Sequence, residues 1–375
     1  MKIVFTGGGT GGHFYPIIAV AEEINDLVKE NKLVKPEMFY FSNSPYNPGL
    51  LYENNIEFVK ISAGKLRIYF SLLNILDLFK TFLGVLGAVW KLFKIYPDVV
   101  FSKGGYASFP TVLAARILRI PVVLHESDSV PGRVNIWTAK FAEKIAVSYK
   151  ECSKFFPKEK VAFTGNPIRK EVSTPLSSGA YEFLGLKKDL PVILVLGGSL
   201  GSNIINNTII DSLNILLPKY QIIHQTGKAN IVTVRETANV VISDKNIAVN
   251  YKPFDYLNLL SMRMAAGVSS IVISRAGSTI FEIANWSLPS IIIPITNSHG
   301  NHQRENAYAY ARTGSCEVIE EANLTSHLLS SEIDRIVSNQ KIKNDMIMST
   351  KSFIQNDASK NIATEILNIA LGHEK

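Results

Sequence analysis

Two glycine-rich segments contain residues whose types and spacing could do chemistry. The first runs from Gly7 to Gly12 and is followed at once by His13, and the second runs from Gly197 to Ser202. Glycines let backbone N–H groups approach an anion, and the start of a following helix stabilises its charge. The positive helix end would keep the His13 side chain neutral, so that it could relay a proton. Alternatively, the His13 side chain only forms a hydrogen bond to the backbone at the helix start. The segments predict two anion sites, one with a proton-transfer group.

The first segment fits a dinucleotide site only in its glycines. Gly7, Gly9 and Gly12 match G-x-G-x-x-G in the expected context, after a strand and before a helix. Such a site also needs an acidic residue at the end of the second strand, where residues 41–43 are Phe-Ser-Asn. The segment ends Gly-Gly-His, so it also lacks the Gly-Lys-Ser/Thr of a nucleotide-hydrolase phosphate loop. The pattern disfavours NAD and excludes that loop.

Strands and helices alternate along both halves of the chain, which predicts doubly wound parallel sheets. Short apolar runs predict strands at 2–6, 38–41, 99–101, 122–124, 192–196, 222–224, 271–274 and 290–294. A helix is predicted at 14–28, with Pro16 in its first turn. Residues 165–167, Gly-Asn-Pro, predict a turn and a hinge between the halves. We expect an α/β protein with two Rossmann-like domains facing a cleft, and a helix at the end of the chain.

The composition is that of an ordinary globular protein with two or three domains. The chain has 375 residues, of which 46% are hydrophobic and 19% charged, and it contains two cysteines. Two cysteines exclude a disulfide scaffold and a cysteine-built zinc site, and they favour a reducing compartment. The start of the sequence lacks the apolar core of a signal peptide, and no uncharged run is long enough to span a membrane.

The excess positive charge lies in the first half of the chain. The net charge is +7, with 20 basic and 14 acidic residues in 1–164 but 19 and 18 in 165–375. Between Lys65 and Lys94, five basic residues and one acidic residue lie among many large apolar ones. Such a segment suits the headgroup boundary of an anionic membrane. The alternative is that its apolar residues face the sheet.

Eight motifs in a fixed order are far more specific than any one glycine segment. They are Gly8-Gly9-Thr10-Gly11-Gly12-His13, Gly104-Gly105-Tyr106, His125-Glu126, Gly165-Asn166-Pro167-Ile168-Arg169, Gly197-Gly198-Ser199, His224-Gln225-Thr226-Gly227-Lys228, Ser274-Arg275-Ala276-Gly277 and Gln303-Arg304-Glu305-Asn306-Ala307. The series resembles the MurG family of bacterial transferases over nearly the whole chain. That family adds N-acetylglucosamine (GlcNAc) from UDP-GlcNAc to undecaprenyl-pyrophosphoryl-N-acetylmuramyl-pentapeptide (lipid I), giving lipid II.

The resemblance implies a GT-B fold, with two Rossmann-like domains facing a cleft. Residues 1–164 would bind the lipid acceptor at a membrane, 165–350 would bind UDP-GlcNAc, and 351–375 would form a helix packing back towards the N-terminal domain. Transfer would invert the anomeric carbon, as the acceptor C4 hydroxyl attacks and UDP leaves. That step needs a base for the hydroxyl and stabilisation for the pyrophosphate.

The resemblance also implies which residues bind the donor, by matching positions in the family's motifs. Ser199 would approach the diphosphate, Glu282 would accept from the ribose hydroxyls, and Gln303 would hold the sugar hydroxyls. Arg169 would lie at the nucleotide edge, and Phe254 would present a backbone group to uracil. The whole donor set is Thr10, Gly11, Gly12, Asp128, Arg169, Ser199, Phe254, Ser278, Thr279, Glu282 and Gln303.

On the acceptor side the resemblance implies Tyr106 and His125, and it leaves two candidates for the base. His13 is the first candidate and Glu126 the second. Taken alone, His125 is more typical of a histidine whose hydrogen bonds are satisfied at a strand end.

The chain departs from the family's pattern at three places. Ser127-Asp128 replaces the common Gln-Asn, and a carboxylate cannot donate as an amide does. Leu200 replaces a common Gln in the second glycine segment. The segment 277–282 is one residue shorter than usual, so Ser278 and Thr279 are matched less firmly than Glu282.

The expected partners are UDP-GlcNAc, lipid I and an anionic membrane surface contacted through residues 65–94, but not nucleic acid. The resemblance places the chain on the cytoplasmic face of the bacterial inner membrane, in peptidoglycan synthesis and thereby in cell shape and division. It leaves room for a cell-wall synthesis complex. No Asp-x-Asp metal motif occurs, so no metal or other cofactor is required, although magnesium could stimulate activity.

Three other functions stay open at this point. A UDP-GlcNAc 2-epimerase and a diacylglycerol glycosyltransferase share the expected architecture. The departures at Asp128 and Leu200 also allow a membrane-docked nucleotide-sugar binder without catalytic activity.

Overall fold

The computed structural model describes residues 1–64, 73–198, 200–296, 301–355 and 357–372. The chain forms two compact units, each with one sheet in its core. Unit 1 comprises residues 1–169 and 355–375, and unit 2 comprises residues 170–354.

Strands and helices alternate along both units. The elements up to residue 169 are β1 (Lys2–Thr6), α1 (Gly11–Glu30), β2 (Glu37–Ser42), α2 (Pro48–Glu53), β3 (Ile56–Lys60), α3 (Leu73–Ile95), β4 (Val99–Ser102), α4 (Phe109–Ile117), β5 (Val122–Glu126), α5 (Arg133–Ala139), β6 (Lys144–Val147) and β7 (Val161–Phe163). The elements after residue 169 are α6 (Lys170–Ser173), α7 (Ala180–Phe183), β8 (Val192–Leu196), α8 (Asn203–Leu216), β9 (Gln221–Gln225), α9 (Ile231–Val241), β10 (Tyr251–Phe254), α10 (Leu259–Val268), β11 (Ser269–Ser274), α11 (Thr279–Asn285), β12 (Ser290–Ile292), α12 (His302–Ala311), β13 (Cys316–Val318), α13 (Ser326–Ser338), α14 (Gln340–Phe353) and α15 (Ala358–Gly372).

Both sheets are parallel and doubly wound, as predicted. The strand order is β3-β2-β1-β4-β5-β6-β7 in unit 1 and β10-β9-β8-β11-β12-β13 in unit 2. In each unit the order reverses beside the first strand, β1 or β8. Ligands of such sheets bind at the carboxyl ends of the strands at this switch point. Both glycine segments follow those two strands and therefore lie where a ligand site is expected.

The ends of the central strands are level, which brings their following loops together. Thr6 at the end of β1 pairs with Phe41 of β2 and with Ser102 of β4. In unit 2, Leu196 at the end of β8 pairs with Gln225 of β9 and with Ser274 of β11. We call these two groups of loops the carboxyl edge of unit 1 and the carboxyl edge of unit 2.

The helix at the end of the chain packs in unit 1, as expected. Ile362, Ile366 and Ala370 of α15 lie in one buried cluster with Ile17 and Ile24 of α1. These residues are spaced four positions apart in α15 and seven apart in α1, and so lie on one apolar face of each helix. This packing joins the two ends of the chain in one core.

Helix α1 begins earlier than predicted. It starts at Gly11 rather than residue 14, because Thr10 has an extended backbone and its carbonyl accepts from the N–H groups of His13 and Phe14. Pro16 therefore lies inside the helix and not in its first turn. The early start brings His13 into the first turn, where its side chain faces the neighbouring loop after β4.

Candidate functional site

The two glycine loops at the carboxyl edge of unit 1 pack against each other closely. A Cβ at Gly7 would lie 3.0 Å from the Cβ of Lys103, and one at Gly8 would lie 2.8 Å from the Cβ of Ala107. Gly9 and Gly105 have φ values of +89° and +80°, which favour glycine. Larger residues would push apart the loops after β1 and β4.

His13 is held by the loop after β4. Its Nδ1 lies 3.1 Å from the main-chain oxygen of Lys103, and its side chain is half-buried. A carbonyl oxygen only accepts, so Nδ1 carries the proton in this contact. The lone pair is then on Nε2, which is the arrangement a general base needs. A Cβ at Gly105 would lie 3.5 Å from this Nε2, so glycine leaves room beside it.

His125 lies in the interior of unit 1 with partners on both ring nitrogens. Its Nδ1 is 2.6 Å from Lys103 Nζ, and its Nε2 is 3.2 Å from the main-chain oxygen of Gly165 and 3.2 Å from Ser148 Oγ. Burial and the Lys103 ammonium lower the pKa of His125 well below its usual range. The ring is therefore neutral and fully hydrogen-bonded.

Glu126 organises the loop that follows β5. Its Oε1 accepts from the Asp128 N–H at 3.0 Å, and its Oε2 accepts from the Gly132 N–H at 3.0 Å and from Asn135 Nδ2 at 2.7 Å. Burial raises the pKa of Glu126 to about 7, and Asp128 adds to this rise, while the three donors oppose it. Both oxygens are therefore engaged within the protein.

Tyr106 and the predicted residues of the first glycine segment lie on the accessible side of this edge. Thr10 is exposed, and Gly12 and Tyr106 are half-buried, whereas Gly11 is buried. The Tyr106 hydroxyl accepts from Asn43 Nδ2 at 3.1 Å, which joins the loops after β2 and β4. The structure thus brings Thr10–His13 and Tyr106 together at the carboxyl edge of unit 1.

Arg169 also lies in unit 1. Its guanidinium carbon is 4.5 Å from the centre of the Tyr15 ring, a cation–π contact with α1. Tyr15 in turn contacts the Tyr46 ring edge to face, with 5.8 Å between ring centres. These contacts hold the side chain of Arg169 beside the start of α1.

The carboxyl edge of unit 2 is built mainly from neutral hydrogen-bonding groups. Ser199 lies outside the described residues, but the neighbouring Gly198 and Gly201 have φ values of +90° and +80°. Ser202 caps α8, since its Oγ accepts from the Ile205 N–H at 3.4 Å. The strand–loop–helix arrangement of unit 1 is therefore repeated here.

Phe254 is anchored through its backbone at the end of β10. Its carbonyl accepts from the Thr226 N–H at 2.9 Å and from Thr226 Oγ1 at 3.1 Å. Gln225 binds both neighbouring loops, donating to the Gly198 carbonyl at 3.3 Å and accepting from the Leu257 N–H at 2.9 Å. The loops after β8, β9 and β10 are thus held together.

The remaining predicted donor residues follow β11 and β12. Ser278 precedes α11, and Thr279 and Glu282 lie in its first turn, all three half-buried. Gln303 lies in the first turn of α12, and its Oε1 accepts from the Ile295 N–H at 3.2 Å. The sheet order places α11 and α12 at the same edge as the second glycine segment.

Arg275 forms an ion pair with Glu321 near this edge. Its Nη2 lies 2.5 Å from Ser202 Oγ and 2.6 Å from Glu321 Oε1, and its Nη1 donates to the Ile293 carbonyl at 3.0 Å. Glu321 in turn accepts from the N–H and hydroxyl of Thr296. This network ties the second glycine segment to the loop after β12.

Among the described residues, no three His, Cys, Asp or Glu side chains come together as metal ligands would.

Helix α3 exposes an apolar face of unusual size for a protein surface in water. Its side chains are between 48% and 67% exposed at Ile75, Leu76, Leu78, Phe79, Phe82, Leu83, Leu86, Trp90 and Phe93. Only smaller parts of the helix, such as Ala88 and Leu92, are buried against the sheet. Exposed apolar patches of this kind mark interaction sites. We call this set the apolar face of α3.

Basic side chains lie along the apolar face of α3. Lys80 is 3.8 Å from Asp77, Lys91 donates to the Lys60 carbonyl, and the Lys94 ammonium lies 4.8 Å from the centre of the Trp90 ring. Residues 65–72, with the predicted Lys65 and Arg67, lie outside the described residues. No helix in the described ranges combines the length and apolarity needed to cross a bilayer.

Sequence reasoning gave no role to two charged residues that the structure places at these edges, Lys103 and Arg275, although Arg275 stands in one of the eight motifs. Each comes directly after a buried central strand, Lys103 after β4 and Arg275 after β11. A charge at that position was the available signal, since parallel-strand carboxyl ends are where ligand sites form. Its weakness is that such a residue can equally point into solvent.

Known proteins match the chain along most of its length. Residues 3–147 match the glycosyltransferase family 28 N-terminal domain, and residues 192–362 match the glycosyltransferase family 28 C-terminal domain. The chain is 38% identical over 346 residues to the UDP-N-acetylglucosamine–N-acetylmuramyl-(pentapeptide) pyrophosphoryl-undecaprenol N-acetylglucosamine transferase 3 of Bacillus thuringiensis. This match covers 92% of this chain and 93% of that relative.

Solved structures share the fold. The crystal structure of Acinetobacter baumannii MurG matches with a TM-score of 0.72 at 22% identity, covering 98% of this chain and 99% of that one. The UDP-GlcNAc 2-epimerase of Neisseria meningitidis, bound to UDP-GlcNAc, matches with a TM-score of 0.69 at 16% identity, covering 98% and 100%. At these identities both likenesses describe the architecture alone.

Proposed function

The chain belongs to the family of UDP-N-acetylglucosamine–N-acetylmuramyl-(pentapeptide) pyrophosphoryl-undecaprenol N-acetylglucosamine transferases, and from this membership we infer what its two carboxyl edges do. It is an N-acetylglucosaminyltransferase that uses UDP-GlcNAc and lipid I to form lipid II, a step of peptidoglycan synthesis. The observation that carries this conclusion is the 38% identity over 346 residues to a relative of that name. The likeness to epimerases rests on fold alone and supports no competing activity.

We propose that His13 is the general base at the carboxyl edge of unit 1. The acceptor C4 oxygen forms a bond to the anomeric carbon, while the bond from that carbon to the UDP oxygen breaks and UDP leaves with the electron pair. The hydroxyl proton moves to His13 Nε2, because Nδ1 already donates to the Lys103 carbonyl. Glu126 is less suited to this role, since both of its oxygens receive donors from its own loop.

The donor binds, in this proposal, at the carboxyl edge of unit 2. Glu282 accepts hydrogen bonds from the ribose hydroxyls, and Gln303 forms hydrogen bonds with the sugar hydroxyls. Ser199 and its neighbouring glycines approach the diphosphate. Backbone N–H groups at the start of α8 would stabilise the leaving pyrophosphate, as helix N-termini do for anions. Phe254 would contact the nucleotide, whereas the structure places Arg169 in unit 1 against Tyr15. The hydrogen bonds that join the loops after β8, β9 and β10 support this role, because a preorganised site loses little conformational entropy when the donor binds.

In this proposal the protein binds a membrane that holds the lipid acceptor. The lipid tail of the acceptor requires a bilayer, and the apolar face of α3 with its lysines is the described surface that suits an anionic one. Each Lys near such a surface contributes about 1 kcal/mol. The chain would therefore act as a peripheral protein on the cytoplasmic face of the cell membrane.

One turnover assay tests the transferase activity against its rivals. The purified protein is incubated with labelled UDP-GlcNAc and a short-chain lipid I analogue, and a disaccharide lipid is the expected product. Free N-acetylmannosamine would indicate an epimerase, and transfer to diacylglycerol alone would indicate a glycolipid synthase. Tight UDP binding without turnover would leave only a nucleotide-sugar binder.

The membrane surface has its own test in vesicle sedimentation. Changing Lys80, Lys91 and Lys94 together to Glu should weaken binding to anionic vesicles by at least about 100-fold, because three attractive contributions of about 1 kcal/mol each are lost. The variant should bind zwitterionic vesicles as the unchanged protein does.

A charge-matched variant of unit 2 serves as the control. Changing Lys188, Lys341 and Lys351 to Glu alters the net charge equally on exposed positions. It should keep most of the vesicle affinity. Equal losses in both variants, or no loss in the α3 variant, would reject the apolar face of α3 as the membrane surface.

A further inference from the structure

Lys103 is a fully buried lysine whose side chain the transfer step, as proposed above, does not use. It follows β4 directly, and its residue exposure is 0%. Lysine is almost never fully buried unless its ammonium is paired, because removing a charge from water is costly. Burial lowers the pKa of Lys103 to about 7, while the carboxylates of Glu126 and Asp128 act in the opposite direction. A lysine that stays buried despite the desolvation free energy of its ammonium indicates a functional role.

The side chain of Lys103 begins a directed chain of hydrogen bonds. Its Nζ is 2.6 Å from His125 Nδ1, and His125 Nε2 is 3.2 Å from the Gly165 carbonyl oxygen. Because the carbonyl can only accept, Nε2 must carry the ring proton and Nδ1 must hold the lone pair. Lys103 is then the donor to Nδ1. The lysine thereby selects one tautomer of His125 and links β4, β5 and the segment after β7.

The main chain of Lys103 holds the proposed base. Its carbonyl oxygen is the partner of His13 Nδ1 at 3.1 Å. The next residue, Gly104, has a φ of +77°, and a Cβ there would collide with the amide of Asn135, which itself binds Glu126. One residue therefore contacts His13 through its backbone and His125 through its side chain, in a loop packed against the partner of Glu126.

We propose that Lys103 is a positioning residue for the transfer step, whose buried side chain, fixed on His125, sets the position of the carbonyl that orients His13. This inference rests on the proposed function, in which His13 is the base. The groups that face Lys103 are His13 from α1, His125 and Glu126 from β5, and Asp128 from the loop after β5. Shifts of a fraction of an ångström at a reacting group are enough to change rates strongly.

The first experiment replaces the ammonium but keeps the length of the side chain. Lys103→Met should lower kcat about 10- to 100-fold with the lipid I analogue, as misplacement of a catalytic group does. The KM for UDP-GlcNAc should stay within about 2-fold, because donor binding belongs to unit 2. Lys160→Met is the matched control, since Lys160 lies in the same unit and donates to the Ala142 carbonyl at the other end of the sheet. Its kcat should not change.

A second experiment asks whether Lys103 acts through His125. His125→Gln should lower kcat by a similar factor, and adding Lys103→Met to it should lower kcat by less than about a further 2-fold, because the two residues act as one unit. The acid limb of the kcat/KM profile of Lys103→Met should move to higher pH, since a lost cation raises the pKa of a neighbouring base. A purely structural lysine would lower the melting temperature without moving that limb.

Other results of these experiments would contradict the role of Lys103. Full kcat in a folded Lys103→Met, or independent losses in the double variant, would overturn the proposal. If Lys103→Met does not fold, ¹⁵N spectra of the unchanged protein decide, because His125 must show the Nε2–H tautomer and the Nδ1–H tautomer would refute the role. Absence of turnover in the unchanged protein would instead reject the proposed function itself.

Discussion

The carboxyl edges of the two units differ in chemistry although they share one scaffold. Each has a glycine segment between the first strand and the next helix, at the point where strand order reverses. At the edge of unit 1, ionisable side chains are grouped in and under the loops, namely His13, Lys103, His125, Glu126 and Asp128. At the edge of unit 2, amides and hydroxyls join the loops, and Arg275 is neutralised by Glu321. The scaffold thus sets where a site forms, and the residues after each strand set its chemistry.

A buried histidine in each unit shows the same difference. His125 in unit 1 contacts the ammonium of Lys103, whereas His224 in unit 2 contacts the neutral Tyr251 hydroxyl at 2.8 Å and Asn206 Oδ1 at 3.0 Å. Burial lowers the pKa of both rings, to about 3 for His224. Unit 1 therefore couples its buried histidine to a charged group, whereas in unit 2 the buried histidine joins β9 to β10 and α8 through neutral groups.

The largest expected effect is at His13, the residue that we propose as the base in unit 1. His13→Ala and His13→Asn should each lower kcat about 10²- to 10⁴-fold, because both remove the base, and the asparagine keeps a donor for the Lys103 carbonyl. UDP affinity, measured by calorimetry, should not change. His327→Ala, an exposed histidine of α13 in unit 2, is the control. Full turnover in a folded His13→Ala would contradict the assignment.

A smaller and different effect is expected at Glu282, which we propose as a donor-binding residue of unit 2. Glu282→Gln should raise the KM for UDP-GlcNAc roughly 10- to 100-fold, because a charged acceptor for the ribose hydroxyls is lost. The kcat at saturating donor should change much less. Steady-state kinetics with both substrates measures the two values. Glu236→Gln on the exposed face of α9 should change neither, and a fall in kcat alone at Glu282 would break the division between the units.

The smallest effect concerns stability against acid. The folded-state pKa of His224 is lowered to about 3, so below pH 6.5 the unfolded chain binds more protons than the folded one. His224 should therefore contribute a fall of about 1.4 kcal/mol per pH unit to the free energy of unfolding as pH decreases below 6.5. His224→Gln should remove this part of the slope in urea unfolding between pH 7 and 5, whereas His327→Gln should leave it unaltered. If the free energy of unfolding has the same pH slope in all three proteins, His224 does not contribute to it.

Most inner strands could be predicted from the sequence, but the inner strand β6 and the edge strands could not. Strands β1, β4, β5, β8 and β11 are apolar and wholly or nearly buried, so their composition marks them. Strands β3 and β7 lie at the sheet edge, with mostly exposed or half-buried residues. Their runs are short or interrupted by charge, since β7 has three residues and β3 contains Glu57 and Lys60, so the sequence marks them only weakly.

The candidate site was predictable to a similar degree. Glycine segments and family motifs singled out Thr10, His13, Tyr106 and Glu126, which the structure brings to one edge. No pattern distinguished a lysine pointing inwards from one in solvent, so Lys103 was missed. The same ambiguity affected the apolar stretch of α3, which periodicity alone could have packed on the sheet; the structure leaves much of it exposed.

The order of apolar runs and glycine segments by itself determined the two doubly wound sheets and the strand ends at which sites form, because both depend on local pattern and chain connection. Tertiary structure alone decided which side chains turn inwards. The fully buried Lys103 and His125, the engaged oxygens of Glu126 and the exposed apolar face of α3 result from packing between residues distant in sequence. Burial and hydrogen-bond partners depend on those neighbours, and they in turn set the charge and reactivity of each group.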